Sequence, residues 1–242
     1  MKCVIGYSFY GRNIYAFHVG KAYGKQFIAV YAVHAREWIT ALLALDEIKR
    51  GTKQGGWVIP LLNPDGALVS QTDKPLWKAN GRGVDLNCNF DAEWGTGRLN
   101  TQVRGAENCI GDYPNSESET GALVRFTQKI VPYVTLSFHT KGGEIYWEFG
   151  GRGDESGAKI IADYTGYAVK RIVGSAGGYK DWCIQKLEIP AYTIECGDDK
   201  LTHPIKRLKN LAECRGLLKY FTDNYGEEQI YEQRFKMRKR GF

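Results

Sequence analysis

Apolar positions along the chain fall into short runs alternating with longer stretches of helical period. Runs at 14–19, 27–33, 56–62, 133–138, 145–149 and 190–195 are rich in β-branched and aromatic residues. Their turn-forming and charged borders predict strands. Apolar residues recurring every three to four positions predict helices over 37–50, 117–130 and 155–172, and a long C-terminal helix from about residue 205. Strands that alternate with helices predict an α/β layered fold. No repeat, low-complexity tract or linker interrupts the pattern, so residues 1–242 read as one domain with a basic tail at 234–242.

One long segment, 63–116, escapes this periodicity. It begins NPDGALVSQTDKPLWKANGRGVDLNCNFDAEWGTGRLN and is dominated by Gly, Asn and Asp. Its length far exceeds an ordinary connection, and ordered loops of that size usually carry function.

Composition narrows the picture. A chain of 242 residues buries roughly 70% or more of its unfolded surface, so it needs no disulfides to hold a core. With 15 Tyr, 10 Phe and 6 Trp, it suits an enzyme with an aromatic-lined cleft. No apolar run approaches the roughly 18 residues needed to span a bilayer. Five positive charges of the net +6 sit in RFKMRKR, 234–240, leaving the rest near +1. That residue of charge, without a recognition module, gives no reason to expect a nucleic-acid partner. The start, MKCVIGYSFYGRN, has no apolar signal core or small-residue cleavage site. The expectation is a cytoplasmic protein, release to the cell wall by lysis or a non-classical route being the other course open to it. Six cysteines without CxxC spacing are expected to be free thiols.

Candidate chemistry starts at FIAVYAVHAREWITALLAL, 27–45. His34, Arg36 and Glu37 interrupt the passage from an apolar strand to an amphipathic helix. An H-x-x-E pair at such a corner aims an imidazole and a carboxylate at one point. A catalytic zinc takes three protein ligands and keeps a fourth position open, so a distant third ligand is required. His139 closes the apolar run YVTLSFHT, again at a strand end, where α/β sheets form their sites. Glu195 closes another in PAYTIECGD. It is either paired in the core or the carboxylate that takes a proton from water.

Four motifs in order, HAREW, NPDG with GVDLNCNF, SFHT and YTIECG, resemble the zinc metallocarboxypeptidase family. The resemblance spans essentially the whole chain from IGYSFYGRNIYAFHVG onward. It implies a three-layer α/β/α sandwich around a mixed, roughly eight-stranded sheet. It further implies one zinc per chain on His34, Glu37 and His139, with Glu195 as general base. Arg36 matches a substrate-contacting arginine, and Asn87 the asparagine beside the substrate's carboxylate.

The departures are informative. The family's carboxylate-clamping arginine is replaced by Cys88, and a thiol cannot form a bidentate charge-assisted pair. The oxyanion-stabilising arginine falls near Lys78 or Arg82, and the motif does not choose between them. The family's mobile tyrosine aligns with Val173, with Tyr179 as a substitute. Lys180 aligns with the family position at the base of the pocket for the residue after the cut, where it would favour a carboxylate-bearing side chain; the other reading is an exposed lysine at a helix start. Asp181 is either its local partner or a helix cap.

A lost clamp, with SFHTKGGEIYWEF and GYKDWCIQ, is similar to the γ-D-glutamyl–diaminopimelate peptidase branch. The expected activity is therefore zinc-dependent hydrolysis of murein stem peptides at the γ-D-Glu–meso-diaminopimelate bond. The alternatives are a C-terminal exopeptidase of the same family and a non-catalytic peptidoglycan-binding module.

Overall fold

The computed structural model describes residues 1–226; the basic tail at 234–242 lies outside them. Strands β1 (Lys2–Tyr7), β2 (Asn13–Val19), β3 (Phe27–Tyr31), β4 (Gly56–Ile59), β5 (Val134–His139), β6 (Glu144–Tyr146), β9 (Ala168–Lys170) and β10 (Ala191–Glu195) form one sheet. Its order is β1-β2-β4-β3-β5-β10-β6-β9; β4, β3, β5 and β10 run parallel, β1–β2, β2–β4 and β10–β6 pair antiparallel, and β6–β9 pair parallel. The mixed eight-stranded sheet expected from the motifs is present. Two short strands, β7 (Glu148–Phe149) and β8 (Arg152–Gly153), form a separate hairpin.

Strand periodicity explains the layers. Successive side chains of a strand point to opposite faces, and in β3 Phe27, Ala29 and Tyr31 enter one core while Ile28 and Val30 enter the other. The first core is covered by α1 (Ile39–Arg50), α4 (Glu155–Thr165) and α6 (Leu217–Asn224). The second is covered by α3 (Ser118–Ile130) and α5 (Tyr179–Lys186). Central strands buried on both faces read as continuous apolar runs, which is why their positions were legible.

Several boundaries differ from the sequence pattern for identifiable reasons. The segment 63–116 contains α2 (Pro64–Thr72), which has no clear apolar stripe because its buried positions include Asp65, Gly66 and Ser70 while Leu68 is exposed. Its local cue is chemical: Asn63 accepts from Gly66 N, and Pro64 occupies the first helical position. The helix expected over 155–172 stops at Thr165, because Gly166 turns left-handed at φ 75° and the chain then enters β9. The expected C-terminal helix is broken into a 3-10 segment at Leu208–Cys214 and α6, with a kink at Leu211. Neither β1 nor α5 was apparent from the pattern: β1 is a half-exposed edge strand, and α5 is buried along residues 179–184.

The site follows from the parallel strands. β3, β5 and β10 lie side by side with their carboxyl ends together. Ligands of open α/β sheets bind at that edge.

Candidate metal centre

A tight turn carries the first two candidate ligands past the end of β3. Ala32 N donates to Thr40 Oγ1 at 2.8 Å, and the Thr40 hydroxyl donates to Glu37 O at 2.9 Å. This closes a 3-10 turn, Ala35–Glu37, directly before α1. His139 is the last residue of β5, and Glu195, the last of β10, is its parallel Cα partner. One sheet edge thus presents His34, Glu37, His139 and Glu195 together.

Their donor atoms converge. His34 Nδ1 lies 2.9 Å from Glu37 Oε1, His139 Nδ1 lies 3.0 Å from Glu37 Oε2, and the two Nδ1 atoms are 3.1 Å apart. All three residues are buried. Among the described residues this is the one group of histidine, cysteine and acidic side chains whose ligand atoms lie within 4.8 Å of one another. Two imidazole nitrogens facing each other across one carboxylate need a positive charge between them. Two neutral imidazoles and a carboxylate form the nitrogen–oxygen donor set that zinc accepts, so the residues present fit such an ion.

The surrounding charges are organised around that centre. His34 Nε2 is 3.2 Å from Asp85 Oδ1, and Lys78 Nζ is 2.8 Å from Asp85 Oδ2, charge contacts rather than linear hydrogen bonds. Against burial, Glu37 and Asp85 push His34 up to about 9. Burial lowers His139. Despite its own burial, Asp85 is held well below the usual carboxylate range by Lys78 and His34. Asp85 was missed by the sequence reading, although an acid between Val84 and Leu86 in GVDLN was its signal. A carboxylate behind a ligand histidine fixes the ring's tautomer and orientation.

Glu195 is pushed up to about 8, first by burial and then by the charge of Glu37. A cation between the ligands opposes both causes and returns the group towards its carboxylate form. Glu144 is its antiparallel Cα partner on β6, with its carboxylate engaged by Tyr146 and Lys170.

The two cations left open by the motif are separated. Lys78 sits beside the centre, held by Asp85 and, through its main chain, by Ala35 N donating to Lys78 O at 2.9 Å. Arg82 is instead paired with Asp112 at 3.3 Å and Glu117 at 3.5 Å, over the ring of Phe9. Arg36 stands between the two turn ligands, with Nη1 donating to Glu107 at 2.6 Å.

A second group lies at the start of α5. Asn87 Oδ1 accepts from Tyr179 N at 3.1 Å. Gly177, at φ 83°, lets the chain pass so close to Cys88 that an added Cβ would fall 2.8 Å from Cys88 O. Burial and Asp85 push the Cys88 thiol well up, so it is neutral. All six cysteines are free, and Cys88 faces Asn108 rather than Cys109. Lys180, 5% exposed, donates to Glu148 O at 2.7 Å and to Asp181 Oδ1 at 2.5 Å. Asp181 fills both expected roles, since its other oxygen accepts from Gly178 N at the helix start.

Tyr179 requires a correction. It is 1% exposed, stacks with Trp182, packs its ring at a tilt against Phe90, and its hydroxyl is 2.8 Å from Thr127 Oγ1. A side chain enclosed in the second core cannot contact substrate or replace the mobile tyrosine. Val173, which aligns with that tyrosine, is exposed.

A family model for zinc carboxypeptidases matches residues 1–165. The chain belongs to the zinc carboxypeptidase family. It is 29% identical to gamma-D-glutamyl-L-diamino acid endopeptidase 1 of Lysinibacillus sphaericus, over 74% of this chain and 56% of that protein. Against carboxypeptidase B of Homo sapiens the identity is 27%, over 81% of this chain and 58% of the relative. The chain therefore spans little more than half the length of these two relatives. Its fold is that of bovine thrombin-activatable fibrinolysis inhibitor, with TM-score 0.82, 19% identity and coverage of 92% and 89%. Murein-tripeptide amidase MpaA of Escherichia coli O157 has the same fold, with TM-score 0.64, 22% identity and coverage of 92% and 88%. No helix among the described residues of this family member is long and apolar enough to cross a membrane.

Proposed function

We propose that this zinc carboxypeptidase homologue hydrolyses murein stem peptides at the γ-D-Glu–meso-diaminopimelate bond, using one zinc per chain. The observation that carries the reading is the placement of His34, Glu37 and His139 beside Glu195, with a neutral Cys88 where an exopeptidase needs a carboxylate clamp. The relative that acts on a γ-D-glutamyl–diamino acid bond supports the same choice.

His34, Glu37 and His139 hold the ion. Bound there, zinc supplies a Lewis acid for water and the scissile carbonyl. Glu195 accepts the proton of the attacking water at its carboxylate and later delivers it to the leaving amine. Lys78 stands at the centre as the fixed positive charge for the oxygen that becomes negative. Asp85 holds both Lys78 and the His34 ring in place. Asn87 and Arg36 position the peptide on either side.

The leaving residue, meso-diaminopimelate, ends in both a carboxylate and an ammonium. Lys180 and Asp181 form a buried pair of the same two signs in reverse, suited to exchange partners with that zwitterion. An exopeptidase would need a free cation for the C-terminal carboxylate. Arg104 donates to both oxygens of Asp112 at 2.7 Å, and Arg82 is paired with the same acid.

The test is hydrolysis of L-Ala-γ-D-Glu-meso-diaminopimelate and of its D-Ala-extended form by the zinc-loaded enzyme, with products identified by mass spectrometry. Release of diaminopimelate, and of its D-Ala-extended form, supports an endopeptidase at the proposed bond. Removal of C-terminal residues only would establish the exopeptidase. Tight zinc binding without cleavage would leave a peptidoglycan-binding role.

A further inference from the structure

Late in the long 63–116 segment, two consecutive side chains rest on two cations of the centre. Glu107 Oε1 accepts from Arg36 Nη1 at 2.6 Å, and Asn108 Oδ1 accepts from Lys78 Nζ at 3.3 Å. The second contact extends a chain that starts at a proposed zinc ligand. His34 Nε2 meets Asp85 Oδ1 at 3.2 Å, and Asp85 Oδ2 meets Lys78 Nζ at 2.8 Å. Lys78 is thus held from two sides, by a buried carboxylate and by a neutral carboxamide. Its side chain is 15% exposed, so a side remains open to a ligand.

The backbone around Asn108 fixes the carboxamide. Its φ of 61° is a left-handed conformation that asparagine adopts more readily than most side chains. Thr101 N donates to Asn108 O at 3.1 Å, Ile110 N to Thr101 O at 3.0 Å, and Asp85 N to Cys109 O at 2.8 Å. The last of these ties the loop to the main chain of the residue that holds Lys78. Cys88 Sγ approaches the same Oδ1 at 4.0 Å. An ammonium is a donor only, so the amide atom that faces it is the oxygen.

Lysine alone is a poorly directed donor. Its ammonium is a point charge with three rotatable N–H groups on a flexible stem, whereas an arginine fork is rigid. Donors stabilise a developing oxyanion best when they are already in place and need no reorganisation. The Asp85 contact is an ion pair without hydrogen-bond direction; the Asn108 bond supplies the direction. We propose that Asn108 is a positioning residue for the reaction. It accepts one N–H of Lys78, fixes the ammonium between itself and Asp85, and leaves another N–H for the oxygen that becomes negative. A neutral acceptor suits the task, since it orients the ammonium without cancelling its charge as a second carboxylate would. The assignment rests on the role given to Lys78 above.

Asn108→Gly removes the carboxamide without strain, because glycine adopts positive φ freely. Zinc-loaded wild type, Asn108→Gly, Lys78→Arg and the double variant are compared on L-Ala-γ-D-Glu-meso-diaminopimelate and its D-Ala-extended form. Asn108→Gly should lower kcat about 10-fold, the scale of one hydrogen bond to a charged group, with KM and zinc content unchanged. In the Lys78→Arg background the guanidinium holds its own direction, and the same change should cost less than about 2-fold. Independently of turnover, nitrogen-15 NMR should show the Nζ–H signal of Lys78, assigned by its loss in Lys78→Arg, protected from water exchange in wild type and unprotected in Asn108→Gly. If asparagine is present only because it tolerates a left-handed backbone, Asn108→Gly is silent and the proposal falls. A loss confined to KM, an equal loss in both backgrounds, or unchanged protection of Lys78 overturns it as well.

The bond assignment and the positioning role fail separately. Removal of the C-terminal D-Ala alone sinks the bond proposed above, and the kcat comparison on that reaction still decides Asn108. Release of diaminopimelate with no effect of Asn108→Gly keeps the bond and sinks the positioning role. Cleavage of neither peptide sinks both.

Discussion

At the scale of single residues, the centre separates holding the ion from moving the proton. Glu195 is half-buried beside the proposed ligands without being one of them, so Glu195→Gln should leave zinc content unchanged. Hydrolysis should fall by about 10²–10⁴-fold, with metal analysis and turnover on the same preparation as the check. Retained turnover would remove Glu195 from the reaction. Asp85 acts through His34 and Lys78. Replacing it by Asn should weaken zinc about 10–100-fold, measured by competition with a chromogenic chelator. An unchanged affinity would reduce Asp85 to a partner of Lys78. The three proposed ligands and Glu195 stood out in the sequence because they are ionisable residues at or just beyond the ends of apolar runs. Asp85 did not, since it lies in a loop whose destination is set by distant packing.

At the scale of elements, α5 and α1 carry opposite lessons. Tyr179 opens α5, yet its hydroxyl serves the core contact with Thr127. Tyr179→Phe should cost about 1 kcal/mol of stability and leave hydrolysis intact; a large loss of turnover would return the residue to the site. On α1, Glu47 is 1% exposed and accepts from Gly216 N, which ties the helix to α6. Burial, then the neighbouring Asp46, push Glu47 up to about 7. Unfolded, it would titrate near its ordinary value of 4.5. Between these pH values the folded chain binds more protons than the unfolded one, so stability falls as pH rises through the window. Glu47→Gln keeps an acceptor for Gly216 N and removes the titration. It should be more stable than wild type at pH 8 by roughly 2 kcal/mol and show little gain at pH 4. Urea unfolding at the two pH values checks this, and equal differences at both would contradict it.

At the scale of the whole molecule, an ion held by His34, Glu37 and His139 would belong to the fold as well as to the proposed reaction. The centre joins the turn before α1 to β5, and Asp85 extends it into the long 63–116 segment. Any ligand that binds only the folded state raises its stability by mass action. Stripping zinc should therefore lower Tm, and adding zinc back should restore it, whereas His34→Ala should melt at one temperature with or without the metal. A Tm indifferent to zinc in wild type would mean that the centre does not bind it.

The sequence by itself determined the α/β class and the positions of the central strands, because buried parallel strands must be apolar throughout. It also offered the residues proposed as ligands, because ionisable side chains at the ends of such runs are candidates for holding a cation, while the role proposed for Glu195 came from the resemblance of the motifs to the family. Only the tertiary structure decided that Lys78 rather than Arg82 stands at the centre and that Tyr179 is enclosed. Each of these depends on which partners arrive from elsewhere in the chain. Asp112 and Glu117 claim Arg82, and Thr127 claims Tyr179.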